Sequence, residues 1–280
     1  IRDRRSPPLI LGHEASGTIS GGNRNGERVT INPLVSCGTC LACCNGRENI
    51  CPNRQIISMP PREGAFAQYV TMPERNLVAV PSDYCLQKAA LVEPLAVGWH
   101  TAKLAVRAID LSMEKRALVI GGGAIGLATA LALRAIGIDD IVISEFNPLR
   151  REYLREHIDA KVVEKTDASF SIIIDAVGFG STRAIASQLV SPGGIIAHVG
   201  LGDNTDGLDV RRITLQEITF IGTYTYTAKD FKDTAEALFT GRLGSLEWIE
   251  KRPLSEGKAS FRELLGNTVA APKIVLDPWQ

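Results

Sequence analysis

Residues 117–126 read Ala-Leu-Val-Ile-Gly-Gly-Gly-Ala-Ile-Gly, an apolar run that breaks into glycines and continues as an Ala- and Leu-rich stretch ending at Ile136. A short aliphatic run bounded by glycine predicts a buried strand, Ala117 to Ile120, and the longer run from Ala124 predicts a helix. Between them, Gly121-Gly122-Gly123-Ala124-Ile125-Gly126 contains the pattern G-x-G-x-x-G. Alone that pattern is weak. Set between strand and helix it has a physical reading, which makes Gly121, Gly123, Ala124, Ile125 and Gly126 candidate cofactor-binding residues. Gly121 permits the tight turn, Gly123 lets backbone N–H groups approach a pyrophosphate, and Gly126 lets the helix pack on the strand with its positive end facing the anion.

Working outward, Ile141 to Ser144 predicts a second strand ending near Glu145, and Asn147-Pro148 supplies an N-cap and first-turn proline for the next helix. Glu145 stands 24 positions after Gly121, where an acid accepts hydrogen bonds from the adenosine ribose hydroxyls. A carboxylate there repels a 2′-phosphate, which favours NAD over NADP; Arg150 and Arg151 nearby pull the other way. Ser171 to Ile174, Ile195 to Val199 and Ile218 to Ile221 are further strand candidates, with Ser191-Pro192-Gly193-Gly194 as the turn before the middle one. Strands alternating with helices imply an α/β fold, a doubly wound parallel sheet. After Gly222 come an amphipathic stretch, Lys229 to Phe239, and a late strand, Lys273 to Leu276.

Residues 1–97 have a different texture, rich in Gly and Pro with short β-type runs at Arg28 to Ile31, Phe66 to Thr71 and Leu77 to Val80. The expected division is a mostly β domain from 1–97 with 226–280, and a Rossmann domain over 98–225. Within the first part, Cys37-x-x-Cys40-x-x-Cys43-x7-Cys51 offers four thiolates on one loop, enough to close a tetrahedral zinc site of structural type. Such a loop buries too little apolar surface to order itself, so the metal supplies its folding energy. Cys44 is an alternative ligand at Cys40-x-x-x-Cys44; Cys43 keeps the even repeat and is preferred. A reduced, metal-free cysteine loop is the plainer alternative.

The whole chain bounds these readings. At 280 residues and 45% hydrophobic content it has room for two buried cores. Lys plus Arg and Asp plus Glu are both 31, so no basic field exists to attract nucleic acid or a membrane surface. No apolar run approaches the roughly 20 residues that span a bilayer, and Ile1 to Leu11 has neither the core nor the cleavage site of a signal peptide. Five cysteines crowded into one stretch suit metal binding in a reducing compartment, so the expected location is cytoplasmic.

With the four-cysteine loop, Gly12-His13-Glu14 and the downstream Rossmann unit, the sequence from about Leu9 to Pro278 resembles the zinc-containing medium-chain dehydrogenases of the alcohol dehydrogenase superfamily. Val92-Glu93-Pro94-Leu95-Ala96-Val97-Gly98 looks like the Glu-Pro-Leu segment of the branch typified by sorbitol, idonate and related polyol dehydrogenases. The resemblance implies a GroES-like catalytic domain beside the Rossmann domain, two zinc ions (one structural, one catalytic), and a homodimer or homotetramer. It implies that Cys37, Cys40, Cys43 and Cys51 hold the structural zinc and that His13 is a catalytic-zinc ligand. Glu14 matches a carboxylate that is a ligand in the polyol branch, and Glu93 a glutamate that holds or briefly replaces the zinc-bound water. Val199, Leu201 and Thr225 fall beside the nicotinamide. The implied reaction is reversible oxidation of a small-molecule alcohol or polyol, zinc polarising its oxygen and hydride passing to NAD.

Three departures from the family qualify this. The family opens with a strand-rich half-domain carrying a Cys-Gly-Ser/Thr-Asp segment that supplies the first catalytic-zinc cysteine, and here that segment is expected ahead of Ile1. Two stretches, Ile19 to Glu27 and Lys165 to Ser171, are short. Thr225-Tyr226 replaces a common Arg-Tyr pair, which counts against a sorbitol-like substrate. Plainer roles stand beside the catalytic ones. In a strand His13 and Glu14 would point to opposite faces, Glu93 before Pro94 would serve as a helix-start carboxylate, and His100, His157 and His198 read as structural or solvent-facing. The rival functions are an NAD-binding protein of this fold without catalytic zinc, and a zinc-free quinone-type reductase.

Overall fold

The structure is a computed structural model and describes residues 5–280; the part of the Ile1 to Leu11 reading that falls on 1–4 lies outside it. The chain opens with β1 (Ala15–Thr18) antiparallel to β2 (Arg28–Ile31). The short Ile19 to Glu27 connection closes as a tight hairpin, with Ile19 N–H donating to Glu27 O and Gly26 N–H to Ile19 O, each at 2.9 Å. Next come β3 (Leu34–Val35), α1 (Leu41–Cys44) inside the cysteine loop, β4 (Gln55–Ile56) paired with β3, and β5 (Leu77–Ala79) antiparallel to β2.

The expected strand at Phe66 to Thr71 does not form. Backbone bonding stops at Phe66, whose N–H reaches Leu11 O at 2.8 Å, and 67–71 instead lines a cavity. His13 and Glu14 were also expected in a strand. They lie just ahead of β1 and outside any strand, so strand alternation does not govern them, and their ligand atoms come within 4.8 Å of each other.

Helices α2 (Leu86–Ala89) and α3 (Val92–Ala108) lead to the parallel sheet. In order, the chain runs β6 (Arg116–Ile120), α4 (Ala124–Ala135), β7 (Asp140–Ser144), α5 (Pro148–His157), β8 (Lys161–Val163) and β9 (Phe170–Asp175). It continues through α6 (Gly180–Leu189), β10 (Val190–His198), α7 (Val210–Leu215) and β11 (Thr219–Gly222). The six strands stack β11-β10-β9-β6-β7-β8, all parallel. The strand order reverses between β6 and β9, which opens a crevice at their carboxyl ends, the place where doubly wound sheets bind ligands. The expected turn at Ser191-Pro192-Gly193-Gly194 is a bulge inside β10: the register skips from Val190 opposite Phe170 to Ile195 opposite Ile172. Gly193, at φ +70°, donates its N–H to Gln216 O at 2.8 Å.

Helix α3 buries Val92, Leu95, Ala96, Trp99, Ala102 and Ala105 against α4 and the sheet. Gly98 lets the two helices meet, since a Cβ there would lie 2.4 Å from the Ala128 carbonyl carbon. Helix α8 (Ala228–Phe239) packs on α3, and Tyr226, Phe231, Ala235 and Leu238 join the same core. The chain ends with β12 (Ile249–Pro253), α9 (Gly257–Leu265) and β13 (Lys273–Asp277), the two strands paired in parallel. No described helix is long and apolar enough to cross a membrane.

Candidate active site

The glycine turn between β6 and α4 has the geometry that the sequence implies. Gly121 is left-handed at φ +96°, and a Cβ on Gly126 would sit 1.8 Å from Gly121 O, so helix and strand touch there. A Cβ on Gly123 would meet nothing within 4 Å, so the turn is open on that side, and no side chain caps α4. The free N–H groups of its first turn, from Ala124 and Ile125 onward, form an anion cradle. Glu145 is buried; its Oε2 accepts Gly122 N–H at 2.9 Å, and its Oε1 accepts Asn147 N–H at 2.7 Å. Arg150 Nη1 lies 3.6 Å from Oε2. Two backbone donors thus fix the carboxylate at the carboxyl end of β7, where each oxygen keeps a lone pair for a ribose hydroxyl. Val199 follows β10, its N–H donating to Asp175 O at 3.0 Å, and Leu201 is 74% exposed at the mouth of the crevice.

Ligand atoms of His13, Glu14 and Glu93 lie within 4.8 Å of one another. His13 Nδ1 is 3.5 Å from Arg5 Nη2, and burial holds the imidazole below its ordinary pKa, helped by Lys273 and Arg5 and opposed by Glu14. A neutral imidazole is the form that binds metal. Glu93, in the first turn of α3, is buried, and burial pushes it up to about 8, with the nearby Glu14 adding to the effect. It accepts one hydrogen bond, from Tyr226 Oη at 2.8 Å. Tyr226 is itself buried and held well above the ordinary phenol range, first by burial and then by Glu93. A cavity of about 1140 Å³ borders His13, Glu14 and Lys273, with Phe66, Tyr69, Phe261 and Trp279 among its walls. The donor set of one neutral imidazole and two carboxyls suits a divalent zinc ion, and a cation there would draw the proton from Glu93.

Sequence reasoning missed two members of this site. Lys273 donates to Glu14 Oε1 at 2.5 Å across 259 positions of chain, and no local pattern marks it. Tyr226 had a signal, because it is the second residue of the Thr225-Tyr226 departure. Thr225 itself sits at φ +47°, and its Oγ1 is buried without a partner.

The four-cysteine loop gathers its sulfurs as the spacing implies. Cys40 and Cys43 Sγ are 3.4 Å apart, Cys37 and Cys51 3.6 Å, and Cys37 and Cys43 3.8 Å. A tetrahedron with Zn–S near 2.3 Å has edges of about 3.8 Å, so the cage has the right size for zinc. The Thr39 and Cys40 backbone N–H groups, with the Thr39 hydroxyl, pull the Cys37 thiol down to about 6. Cys44 points away, toward Thr39 O at 3.6 Å, so the four sulfurs that converge include Cys43. The buried His100 is structural: its Nδ1 meets Asp230 Oδ2 at 2.7 Å. His198 Nε2, 3.6 Å from Asp175 Oδ2, is buried without a hydrogen-bond partner, and the exposed His157 bonds only Tyr153 O of its own helix.

A parallel Rossmann sheet beside a small β domain, with one cage of four cysteine sulfurs and one His-carboxylate cluster, is the architecture of a metal-dependent dehydrogenase. Comparison with known proteins agrees. Residues 1–82 match the alcohol dehydrogenase GroES-like domain and 124–240 the zinc-binding dehydrogenase domain. The chain is 33% identical over 254 residues to sorbitol dehydrogenase of Bacillus subtilis, covering 84% of this chain and 70% of that protein. It is 28% identical over 246 residues to L-idonate 5-dehydrogenase of Vitis vinifera, covering 78% and 65%. The solved structure of L-idonate 5-dehydrogenase from Escherichia coli has the same fold, with TM-score 0.85 at 23% identity over 96% of this chain and 81% of that one. The chain belongs to the zinc-containing medium-chain dehydrogenase family of the alcohol dehydrogenase superfamily. Its class of activity is alcohol oxidoreduction.

Proposed function

We propose that this protein oxidises a polyol or sugar alcohol reversibly with NAD, using a zinc ion held by His13, Glu14 and Glu93. One observation carries the reading. Tyr226, four residues past the carboxyl end of β11, donates to Glu93, tying the metal-ligand cluster to the sheet edge where a dinucleotide lies. Zinc held there supplies Lewis acidity toward the alcohol oxygen. Burial keeps His13 neutral and its lone pair available, while Lys273 holds Glu14 in place against the cavity. Glu93, with Tyr226 as its hydrogen-bond donor, would present its carboxylate to that zinc or to the water on it. Gly121 to Gly126 would receive the pyrophosphate and Glu145 the ribose, with Val199, Leu201 and Thr225 beside the nicotinamide. Glu145 favours NAD over NADP because its carboxylate occupies the place that a 2′-phosphate would need.

Cys37, Cys40, Cys43 and Cys51 would hold a second, structural zinc ion. The catalytic domain would comprise 1–97 with 226–280 and the Rossmann domain 98–225, with helix α8 of the former packed into the core of the latter against α3. Edge strand β11, with Phe220 exposed, is the face through which two copies pair as a homodimer or build a homotetramer. Thiols left free of disulfides fit a cytoplasmic setting. NADH formation over a panel of polyols, with zinc counted per chain, tests the proposal. Turnover of at least one polyol with two zincs is expected, and His13→Ala should lose one zinc and nearly all turnover. One zinc with no turnover would make the protein an NAD-binding module.

A further inference from the structure

Chain 223–230 is held from several sides, and one of the holds comes from the cysteine loop. Asn49, two residues before Cys51, is 3% exposed, and its Nδ2 donates to Tyr224 O at 2.9 Å across 175 positions of sequence. From the same loop, the Arg54 guanidinium lies 4.9 Å above the Tyr224 ring. On the far side, Thr101 and Thr223 hydroxyls meet at 2.9 Å, and Thr227 caps α8 through Asp230. In the middle stands Thr225, a β-branched residue at φ +47°, followed by Tyr226 bound to Glu93. A β-branched side chain in the left-handed region is strained, and such strain persists only where neighbours over-determine it. Asn49 supplies one of those constraints on the residue immediately before it.

We propose that Asn49 is a positioning residue for the reaction: by holding the Tyr224 carbonyl it keeps Thr225 left-handed and Tyr226 aimed at Glu93. The cage of thiolates then has a task beyond holding its own loop, since it fixes the Asn49 side chain at the edge of the active site. This rests on the reading of the site as that of an alcohol dehydrogenase.

The test compares wild type, Asn49→Ala, Thr225→Gly and the double variant, each with zinc per chain, NADH affinity, kcat and KM for polyol oxidation, and amide hydrogen exchange of 222–228. For Asn49→Ala the expected result is unchanged zinc, NADH affinity and KM within about two-fold, kcat lower by about ten-fold, a change of about 1.4 kcal/mol, and faster exchange confined to 222–228. Glycine adopts the left-handed conformation without strain, so in the Thr225→Gly background the same substitution should lower kcat by less than about three-fold. Unchanged kcat and exchange in Asn49→Ala, or equal losses in both backgrounds, would overturn the proposal. If Asn49→Ala does not fold, Arg54→Gln takes its place, with a smaller kcat loss and faster exchange at 222–228 expected, and no change overturning it. A wild-type protein that turns over no alcohol would refute the dehydrogenase reading, and exchange would still decide whether Asn49 holds the turn.

Discussion

Glu93 is a carboxyl group taken out of water at the start of a helix, and its surroundings decide what it can do. Burial and the neighbouring Glu14 hold it up to about 8, and Tyr226 Oη is its hydrogen-bond donor. The Glu93 proton is held only while no cation is present: zinc beside the His13 and Glu14 ligand atoms would draw it off and leave Glu93 as a carboxylate facing the metal. Glu93→Gln keeps the shape and removes the negative charge that would face the metal, so kcat should fall by about 10²-fold with the fold intact. Tyr226→Phe removes the donor and leaves a buried oxygen unpaired, lowering stability by about 1–3 kcal/mol in denaturant melts. An unchanged kcat in the first variant would mean that Glu93 serves only as the first-turn carboxylate of α3. Glu93 was legible from the Glu-Pro-Leu segment that carries it. Its partner Tyr226 was not, because 133 positions of chain separate the two and only the fold joins them.

At the scale of elements, α3 and α8 meet through a buried charge. Asp230, in the first turn of α8, receives His100 Nδ1 at 2.7 Å, the Lys103 ammonium, and Thr227 Oγ1 at 2.7 Å. Burial alone would raise its pKa, but the bonds from His100, Lys103 and Thr227 outweigh it, and the carboxyl is held well below its ordinary 3.8. The unfolded chain therefore binds this proton more readily than the folded one. The stability that the group contributes is fully present above pH 3.8 and drains away as the pH falls further. Asp230→Asn should cost about 3 kcal/mol or more at neutral pH, because it strands Lys103 and His100, and should flatten the acid limb of the stability profile. Melts of the two proteins from pH 7 to 2 would show this; parallel curves would contradict it. His100 read as structural from the sequence, since no motif surrounds it. Helix α8 read as amphipathic, yet which helix receives its apolar face is settled only by packing, through Phe231, Ala235 and Leu238.

For the whole molecule, the parts legible in the sequence are those whose physics is local. A strand, a glycine turn and a helix follow one another within 117–136, so the Rossmann unit could be read directly and its boundaries agree to within a residue or so. The four thiolates lie on one short loop, and their convergence follows from spacing. The misreadings are non-local. Phe66 to Thr71 has strand composition but no partner among the described residues, and Gly193 folds an apparent turn into a bulge because Gln216 accepts its N–H. His13 and Glu14 look like alternating strand positions, yet β1 begins only at Ala15 and both side chains reach the Glu93 cluster. What would unite these parts is the proposed cation held by His13, Glu14 and Glu93, linked to the carboxyl edge of the sheet through Tyr226. The most direct measurement is the rate of polyol-dependent NAD reduction before chelation, after it, and after zinc is restored. The rate should fall with the loss of the more labile zinc and return when zinc is added; turnover that persists in protein shown to hold no zinc at this site would contradict the account.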